Sequence, residues 1–189
     1  MKPAYLLAGL LTATAACSSP ATEKSATMTP LDELGRDIPR IVEKHGIRDV
    51  SFDTECIYNL GDLSALLKLI VEETFPGKAI HLREELSPDK KYFVATLSTA
   101  DTAVVFRTHA DDDWLADQFF EELEKLPAAL GSDDKLYSIN PAVGLTGQEA
   151  WYFCGTEAQL QAAREEGLPL IYLGEDFLET EEYKKYADE

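Results

Sequence analysis

Residues 78–108 read KAIHLREELSPDKKYFVATLSTADTAVVFRT, and this stretch decides the fold class. It holds three runs typical of strands, at 78–86, 92–98 and 103–108. Ser87-Pro88-Asp89 supplies a turn between the first two runs, and residues 99–102 supply one between the second and third. Strands joined by such short turns pair in antiparallel fashion. The stretch therefore predicts an antiparallel meander.

The segments before this meander predict two helices and one strand. Apolar residues recur at helical spacing from Pro30 to Gly46, although Pro39 should kink that helix or end it early. Alternation from Val50 to Cys56 predicts a strand. Asp62 is positioned to cap a second helix, whose expected buried stripe is Leu63, Leu66, Leu67, Ile70 and Val71.

The segments after the meander again mix helices with strands. A third helix is expected over 112–126, with Leu115, Phe119, Leu123 and Leu126 buried. It is followed by an antiparallel strand pair at 135–139 and 150–154 and by a helix at 157–166 capped by Thr156. The chain then has a strand at 168–173 and a polar helix at 176–186. This order predicts a single α+β domain over 30–189, with a mixed or mainly antiparallel sheet and four to five helices.

The composition is that of a globular protein with a strong negative charge. Of 189 residues, 45% are apolar, and 35 acids against 17 Lys and Arg give a net charge of -18. Such a field repels nucleic acid and anionic headgroups and favours cationic partners. We therefore expect no nucleic-acid partner. The alternative is that the acidity serves only to keep a secreted protein in solution.

The first residues have the three-part layout of a secretory signal peptide. Met1 and Lys2 form a short basic start, residues 4–11 an apolar core, and small residues lead to Cys17. The apolar core is shorter than the roughly 20 residues of a permanent transmembrane helix. The sequence SSPATEKSATMTP that follows is small and polar, which is typical of a flexible tether.

Thr14-Ala15-Ala16-Cys17 resembles the lipobox of bacterial lipoproteins, in which the cysteine is lipidated and becomes the new N-terminus. Thr14 departs from the family pattern, which usually has Leu three residues before the cysteine. The resemblance covers about 20 residues. It implies removal of residues 1–16, a lipid such as palmitate on Cys17, and a tether over 17–29. Ser18 implies delivery to the outer membrane, facing the periplasm.

An ordinary cleavage site is the alternative interpretation of the same segment. Ala13-Thr14-Ala15 fits the small-residue pattern of such sites, and cleavage there releases a protein that begins at Ala16. That protein has no lipid anchor.

Two cysteines besides Cys17 are present, Cys56 and Cys154. In an oxidising envelope compartment an even pair predicts a disulfide. The alternative is two buried free thiols, because free cysteine is among the most buried residue types.

Cys154 is also the candidate for catalysis. It precedes Gly155 and Thr156 where a strand leads into a helix, and a helix N-terminus stabilises a thiolate. His109, with Asp111 near it, could act as its base. An envelope hydrolase or thiol enzyme using Cys154 with His109 is therefore the alternative function. The sequence has no motif for a nucleotide cofactor, and we expect none.

Metal binding finds no support in the sequence. The three histidines, His45, His81 and His109, are far apart and lack ligand spacing. A calcium loop that started at Asp111 would need Gly at position 116, where the chain has Ala116. We therefore expect no metal site.

The segment from His109 to Glu124 contains seven acids and no Lys or Arg. With Trp114 at its edge, such a surface suits a basic protein partner, as in an immunity-type or accessory lipoprotein. The candidate residues are Asp111, Asp112, Asp113, Trp114, Asp117 and Glu121. The alternative is a solvated helix face with Trp114 packed into the core.

Overall fold

The computed structural model describes residues 30–139 and 148–172. Within them the chain forms two antiparallel sheets, of four and three strands, and five helices. The predicted α+β class is confirmed. Cys17, the predicted tether over 17–29, the connection over 140–147 and the predicted helix at 176–186 lie outside the described residues.

The three-stranded sheet is the predicted meander. It consists of β2 (His81–Leu86), β3 (Tyr92–Ser98) and β4 (Ala103–His109), with β3 in the centre. Residues along β3 and β4 alternate between buried and more exposed, so within the described part of the chain one face of the sheet is buried and the other is more exposed. In the β2–β3 turn the Ser87 hydroxyl accepts hydrogen bonds from the Lys91 and Tyr92 backbone N–H groups, at 3.2 and 3.0 Å.

The four-stranded sheet has the order β1-β6-β5-β7, and all its pairs are antiparallel. The strands are β1 (Arg48–Asp53), β5 (Lys135–Ile139), β6 (Glu149–Gly155) and β7 (Leu170–Tyr172). The β5–β6 pairing is confirmed. The strand predicted through Cys56 ends earlier, at Asp53. The Thr54 N–H still donates to the Gln148 carbonyl, and Glu55 then pairs with Trp114 of another segment.

The second helix, α2 (Asp62–Thr74), buries every residue of its predicted stripe. Its cap differs from the prediction. Gly61 is the N-cap, in the left-handed region at φ 109°. The Glu84 carboxylate on β2 accepts hydrogen bonds from the backbone N–H groups of Gly61 (2.9 Å) and Ser64 (2.7 Å). A carboxylate from the neighbouring sheet thus takes the capping role predicted for Asp62.

The predicted helix over 112–126 is wrong in its first part. Residues 111–116 form an irregular loop, and two short helices follow, α3 (Asp117–Leu123) and α4 (Leu126–Ala129). The predicted apolar stripe is nevertheless buried, including Leu115 at the loop's end. The loop cannot continue the helix because its backbone is paired with residues of another segment.

The first helix, α1 (Pro30–His45), runs through Pro39 without the predicted early end. Pro inside a helix costs about 3 kcal/mol, and tertiary contacts offset that cost. Ile38 and Ile41 are buried against α5 (Glu157–Glu165) and one face of the four-stranded sheet. Thr156 caps α5 as predicted, within a reciprocal capping box with Gln159.

The four-stranded sheet separates two apolar clusters. The smaller one contains Ile38 and Ile41 of α1, Phe153 of β6 and Leu160 of α5. The larger one fills the space between the other face of that sheet, α2, α3 and the buried face of the meander. Phe119 joins these layers by ring contacts to Phe52 and Phe106, at centroid distances of 6.2 and 5.5 Å.

Candidate partner-binding surface

The structure divides the predicted surface residues between a loop and a helix. Asp111, Asp112, Asp113 and Trp114 lie in the loop between β4 and α3, whereas Asp117 and Glu121 are exposed residues of α3. Trp114 is 41% exposed, so the alternative in which it packs into the core is wrong.

The loop is held by a buried hydroxyl at the end of β4. Thr108 is fully buried, and its Oγ1 donates to the Trp114 carbonyl at 2.8 Å. The same oxygen accepts from the Ala116 N–H at 3.3 Å. Asp112 Oδ1 accepts from the Trp114 N–H at 3.2 Å. Trp114 is therefore exposed on a backbone that is fixed from both sides.

A second segment, 54–61, lies alongside this loop. Glu55 and Trp114 form an isolated antiparallel β-bridge. The Leu115 N–H donates to the Thr54 carbonyl at 2.8 Å, and the Ile57 N–H donates to the Asp113 carbonyl at 3.2 Å. Residues opposite each other in an antiparallel pair direct their side chains to the same face. Glu55 and Trp114 therefore share one surface.

Tyr58 adds a second aromatic ring to this surface. It is 62% exposed, and its hydroxyl donates to the Glu55 carbonyl at 2.7 Å. Asp62 Oδ2 accepts from the Tyr58 and Asn59 N–H groups, which fixes the segment before α2. Leu60, two residues on, is 59% exposed. Sequence reasoning missed Glu55, Tyr58 and Leu60, because nothing near them in the chain indicates their pairing with residues 113–115.

We call this region the acidic–aromatic surface and define it by six residues: Glu55, Tyr58, Asp111, Asp112, Asp113 and Trp114. Desolvation, followed by the charges of Asp113 and Asp53, raises the pKa of Glu55 above its ordinary value. Among the described residues the one ion-pair contact of these carboxylates is with His109, whose Nδ1 lies 4.0 Å from Asp111 Oδ1, and none of them forms an ion pair with Lys or Arg. The surface therefore has an uncompensated negative potential beside two exposed rings.

The candidate catalytic residues do not form a site. Cys154 is fully buried on β6, in the four-stranded sheet, whereas His109 is half-exposed at the end of β4 and contacts Tyr92 and Asp111. Burial is the main cause that raises the pKa of Cys154 to about 12; Arg48, whose Nη2 lies 3.5 Å from Sγ, opposes it. A buried thiol with this pKa stays protonated at neutral pH and is a poor nucleophile.

The predicted disulfide is not formed in this structure, where Cys56 and Cys154 are both free. The strand register places Cys154 opposite Arg48, at the far end of β1 from Cys56. Six extended residues separate Arg48 from Thr54, about 20 Å, and Cys56 is at most about 7 Å beyond Thr54. The two Cα atoms are thus more than about 10 Å apart, and disulfides need roughly 4.4 to 6.8 Å. This geometry favours two separate thiols.

Neither a metal site nor a membrane span was found in the described parts of the chain. No group of three or more His, Cys, Asp or Glu side chains there could hold a metal ion. No helix within residues 30–139 and 148–172 is long and apolar enough to cross a bilayer. Comparison of the chain with protein-family models, curated sequences and solved structures gave no significant match.

Proposed function

We propose that this protein binds a basic protein partner through the acidic–aromatic surface. A lipid on Cys17 holds it in the bacterial cell envelope, at the outer membrane, as in an immunity-type or accessory lipoprotein. The observation that carries the proposal is Trp114, which stays 41% exposed on a hydrogen-bonded loop among carboxylates.

Two physical arguments support a protein partner. Trp and Tyr are the residues that most often dominate binding energy at interfaces, and a fixed backbone lowers the entropy lost when they bind. The surrounding acids speed the encounter with a basic surface and select against acidic ones. The net charge of -18 acts in the same direction over a longer range.

The partner test compares two equally exposed apolar residues. Trp114 is 41% exposed on the acidic–aromatic surface, and Leu69 is 40% exposed on α2. In affinity capture from envelope extract, wild type and Leu69→Ala should retain a basic protein that salt releases. Trp114→Ala should weaken its retention by about 30-fold, the loss expected when an interface hot spot worth about 2 kcal/mol is removed. Equal retention by both variants contradicts the proposal.

The anchor is tested separately on the full-length chain. Wild type should partition into the detergent phase and fractionate with outer membranes, and Cys17→Ala should partition into the aqueous phase. If wild type partitions into the aqueous phase, the result contradicts lipidation of Cys17 and favours cleavage after Ala15. Partner capture is measured on both forms, because loss of the anchor alone does not alter the acidic–aromatic surface.

A further inference from the structure

The free edge of β4 has an open row of backbone hydrogen-bonding groups. Among the described strands, β4 pairs only with β3. The Ala110 N–H donates to the Lys91 carbonyl at 2.8 Å, which fixes the phase of the ladder between β3 and β4. Because bonded pairs alternate along an antiparallel ladder, every second residue of β4 bonds to β3. The residues between them direct their N–H and C=O groups outward: Ala103, Val105 and Arg107.

An open cleft of about 680 Å³ lies beside this edge. β4 forms one side of the cleft, and α3 and α4, which pack against the buried face of the meander, form the other. Within the described residues, no hydrogen bond reaches the outward backbone groups of Val105 or Arg107. The volume falls in the range of roughly 300 to 1,000 Å³ found for ligand sites. The cleft therefore leaves room for a ligand beside the open edge.

The two edges of the meander differ in how they are protected. β2, the opposite edge, has the sequence HLREEL, with charged Arg83, Glu84 and Glu85. Charged side chains are a usual device that prevents a free edge from pairing with another chain. β4 has the sequence AVVFRTH, with Arg107 as its one residue of fixed charge. The β4 edge is thus the less protected of the two.

The residues that line the cleft indicate the chemistry of its occupant. The charged ones are Arg107, Lys125 and Glu122, and the Lys125 Nζ lies 2.8 Å from the Glu122 carboxylate, so these two offset each other. Arg107 forms no ion pair within the described residues. Five of the other lining residues are apolar: Ala103, Val104, Val105, Ala128 and Ala129. The lining is thus mainly apolar, with one positive charge that has no counter-ion among the described residues.

An extended, mainly apolar segment with one acidic side chain complements this lining. Residues directly opposite each other in an antiparallel pair share a face, with their Cβ atoms about 5 Å apart. A carboxylate opposite Arg107 is therefore within reach of the guanidinium. The alternate side chains of such a segment face α4, where Ala128 is exposed. One acid is enough, because the net charge of -18 repels a segment with many acids.

We infer that the β4 edge binds such a segment of another protein by strand addition. Main-chain bonds to Val105 and Arg107 supply affinity in this mode of recognition, and the alternate side chains supply specificity. Here those side chains are the acid opposite Arg107 and the apolar residues over α4. None of the six residues of the acidic–aromatic surface lines the cleft. The inference therefore goes beyond the proposed function and does not depend on it.

The first experiment adds an acetylated and amidated heptapeptide, valine-threonine-valine-glutamate-valine-threonine-valine, to the full-length chain in detergent solution. Amide hydrogen exchange of Val105 and Arg107 should slow by at least about tenfold at saturation, while Leu82 and Glu84 on the β2 edge should not change. The same peptide N-methylated at its threonines and glutamate loses the donors that face β4, so it should bind at least about tenfold weaker. Equal binding of both peptides, or no protection at Val105 and Arg107, overturns the inference.

The second experiment exchanges the charges. A peptide with lysine in place of glutamate puts like charges opposite each other, so it should bind wild type at least about fivefold weaker than the glutamate peptide. Arg107→Glu should reverse this order of preference. Arg83→Glu, on the β2 edge, is the control and should leave the order unchanged. An order that is the same in wild type and Arg107→Glu contradicts the assigned specificity and overturns the inference.

The third experiment uses matched edge variants. Val105 and Leu86 are both 38% exposed, and both have outward backbone groups, on β4 and β2 respectively. Pro is tolerated on an edge strand where the N–H faces solvent. Val105→Pro should weaken binding of the glutamate peptide by at least about tenfold, and Leu86→Pro should not. If Val105→Pro is unfolded by circular dichroism, Ala128→Trp, which fills the cleft, must cause the same loss. Unchanged binding overturns the inference.

Two further outcomes identify other occupants or link the two sites. Protection of Val105 that rises with protein concentration in the absence of peptide identifies a second copy of the chain as the occupant, and overturns the inference. In affinity capture, Val105→Pro should retain the basic partner as well as wild type does, and Trp114→Ala should bind the heptapeptide as well as wild type does. Loss of both ligands in either variant contradicts two separate sites.

Discussion

Glu55 and Trp114 lie opposite each other in an isolated antiparallel bridge, although 58 residues lie between them in the sequence. The pair connects the end of β1 with the loop that follows β4, and so it joins the two sheets. It also assembles the acidic–aromatic surface, because residues paired in this way share one face. The candidate site is therefore a product of the tertiary fold.

Thr108→Val should loosen the loop that holds Trp114. The substitution keeps the shape of a fully buried side chain but removes the oxygen that bonds the Trp114 carbonyl and the Ala116 N–H. Groups left without partners cost about 1 to 3 kcal/mol. Urea unfolding should show that loss. Thr96→Val on β3 is the control, since the Thr96 hydroxyl forms no hydrogen bond within the described residues, and it should change stability by less than about 0.5 kcal/mol.

Cys154 should resist alkylation in the native protein and react fully once unfolded. Its pKa of about 12, raised mainly by burial from an ordinary 9.0, leaves about a thousandfold less thiolate at neutral pH. In denaturant without reductant, iodoacetamide should modify both Cys56 and Cys154, and mass spectrometry counts the labels on each chain. If Cys56 and Cys154 gain their two labels only after reduction, the chain contains the disulfide that the sequence predicted. That result would contradict the separation of the two cysteines in the strand register.

Gln159→Ala should destabilise the contact between α1 and α5. The Gln159 Oε1 accepts from the Thr156 N–H at 2.9 Å, and its Nε2 donates to the His45 carbonyl at 3.0 Å. One side chain thus caps the start of α5 and the end of α1. We expect a loss of about 1 to 2 kcal/mol in thermal or urea unfolding. Gln161→Ala is the control, because the exposed Gln161 side chain forms, within the described residues, one long hydrogen bond, to Glu165 at 3.4 Å. Equal effects of the two variants refute the capping role.

Local patterns in the sequence predicted the elements whose stability is local. The boundaries of β3 agree with the prediction because its alternation and its two turns lie within a few residues of one another. The α2 stripe is buried as expected because all of it lies on one face of one helix. In these segments the short-range pattern and the tertiary contacts favour the same structure.

The prediction was wrong where distant residues decide the structure. Leu115 and Phe119 have helical spacing, yet residues 111–116 are a loop because Thr54, Glu55 and Thr108 pair with its backbone. The α2 cap was assigned to Asp62, whereas Glu84, 22 residues further along the chain, bonds the helix start. Such partners leave no periodic signal. The charge of the candidate site could be predicted from sequence, but the place of Tyr58 in it could not.

Glu166→Gln should lower stability in a pH-dependent manner. The Glu166 carboxylate follows α5 and binds three groups of α1: Lys44 Nζ at 2.5 Å, His45 Nε2 at 2.7 Å and Arg40 Nη1 at 2.8 Å. Hydrogen bonds from Lys44, His45 and Arg40, in that order, lower the pKa of Glu166 to about 2 from an ordinary 4.5. Because the folded-state pKa is the lower one, the ionised carboxylate stabilises the fold above about pH 4.5. That contribution is lost as the pH falls towards 2.

The difference in urea midpoint of unfolding between wild type and Glu166→Gln should therefore be constant near neutral pH and should shrink between pH 4.5 and 2. Urea titrations at five or six pH values measure it, and subtraction of the two curves cancels the titration of the other acids. Glu165→Gln is the matched control, because Glu165 precedes Glu166 in the chain and forms no ion pair among the described residues. Added salt should reduce the difference, because the Arg40 and Lys44 side chains are more than half exposed. A difference that does not change with pH would mean that Glu166 acts through packing and not through its charge.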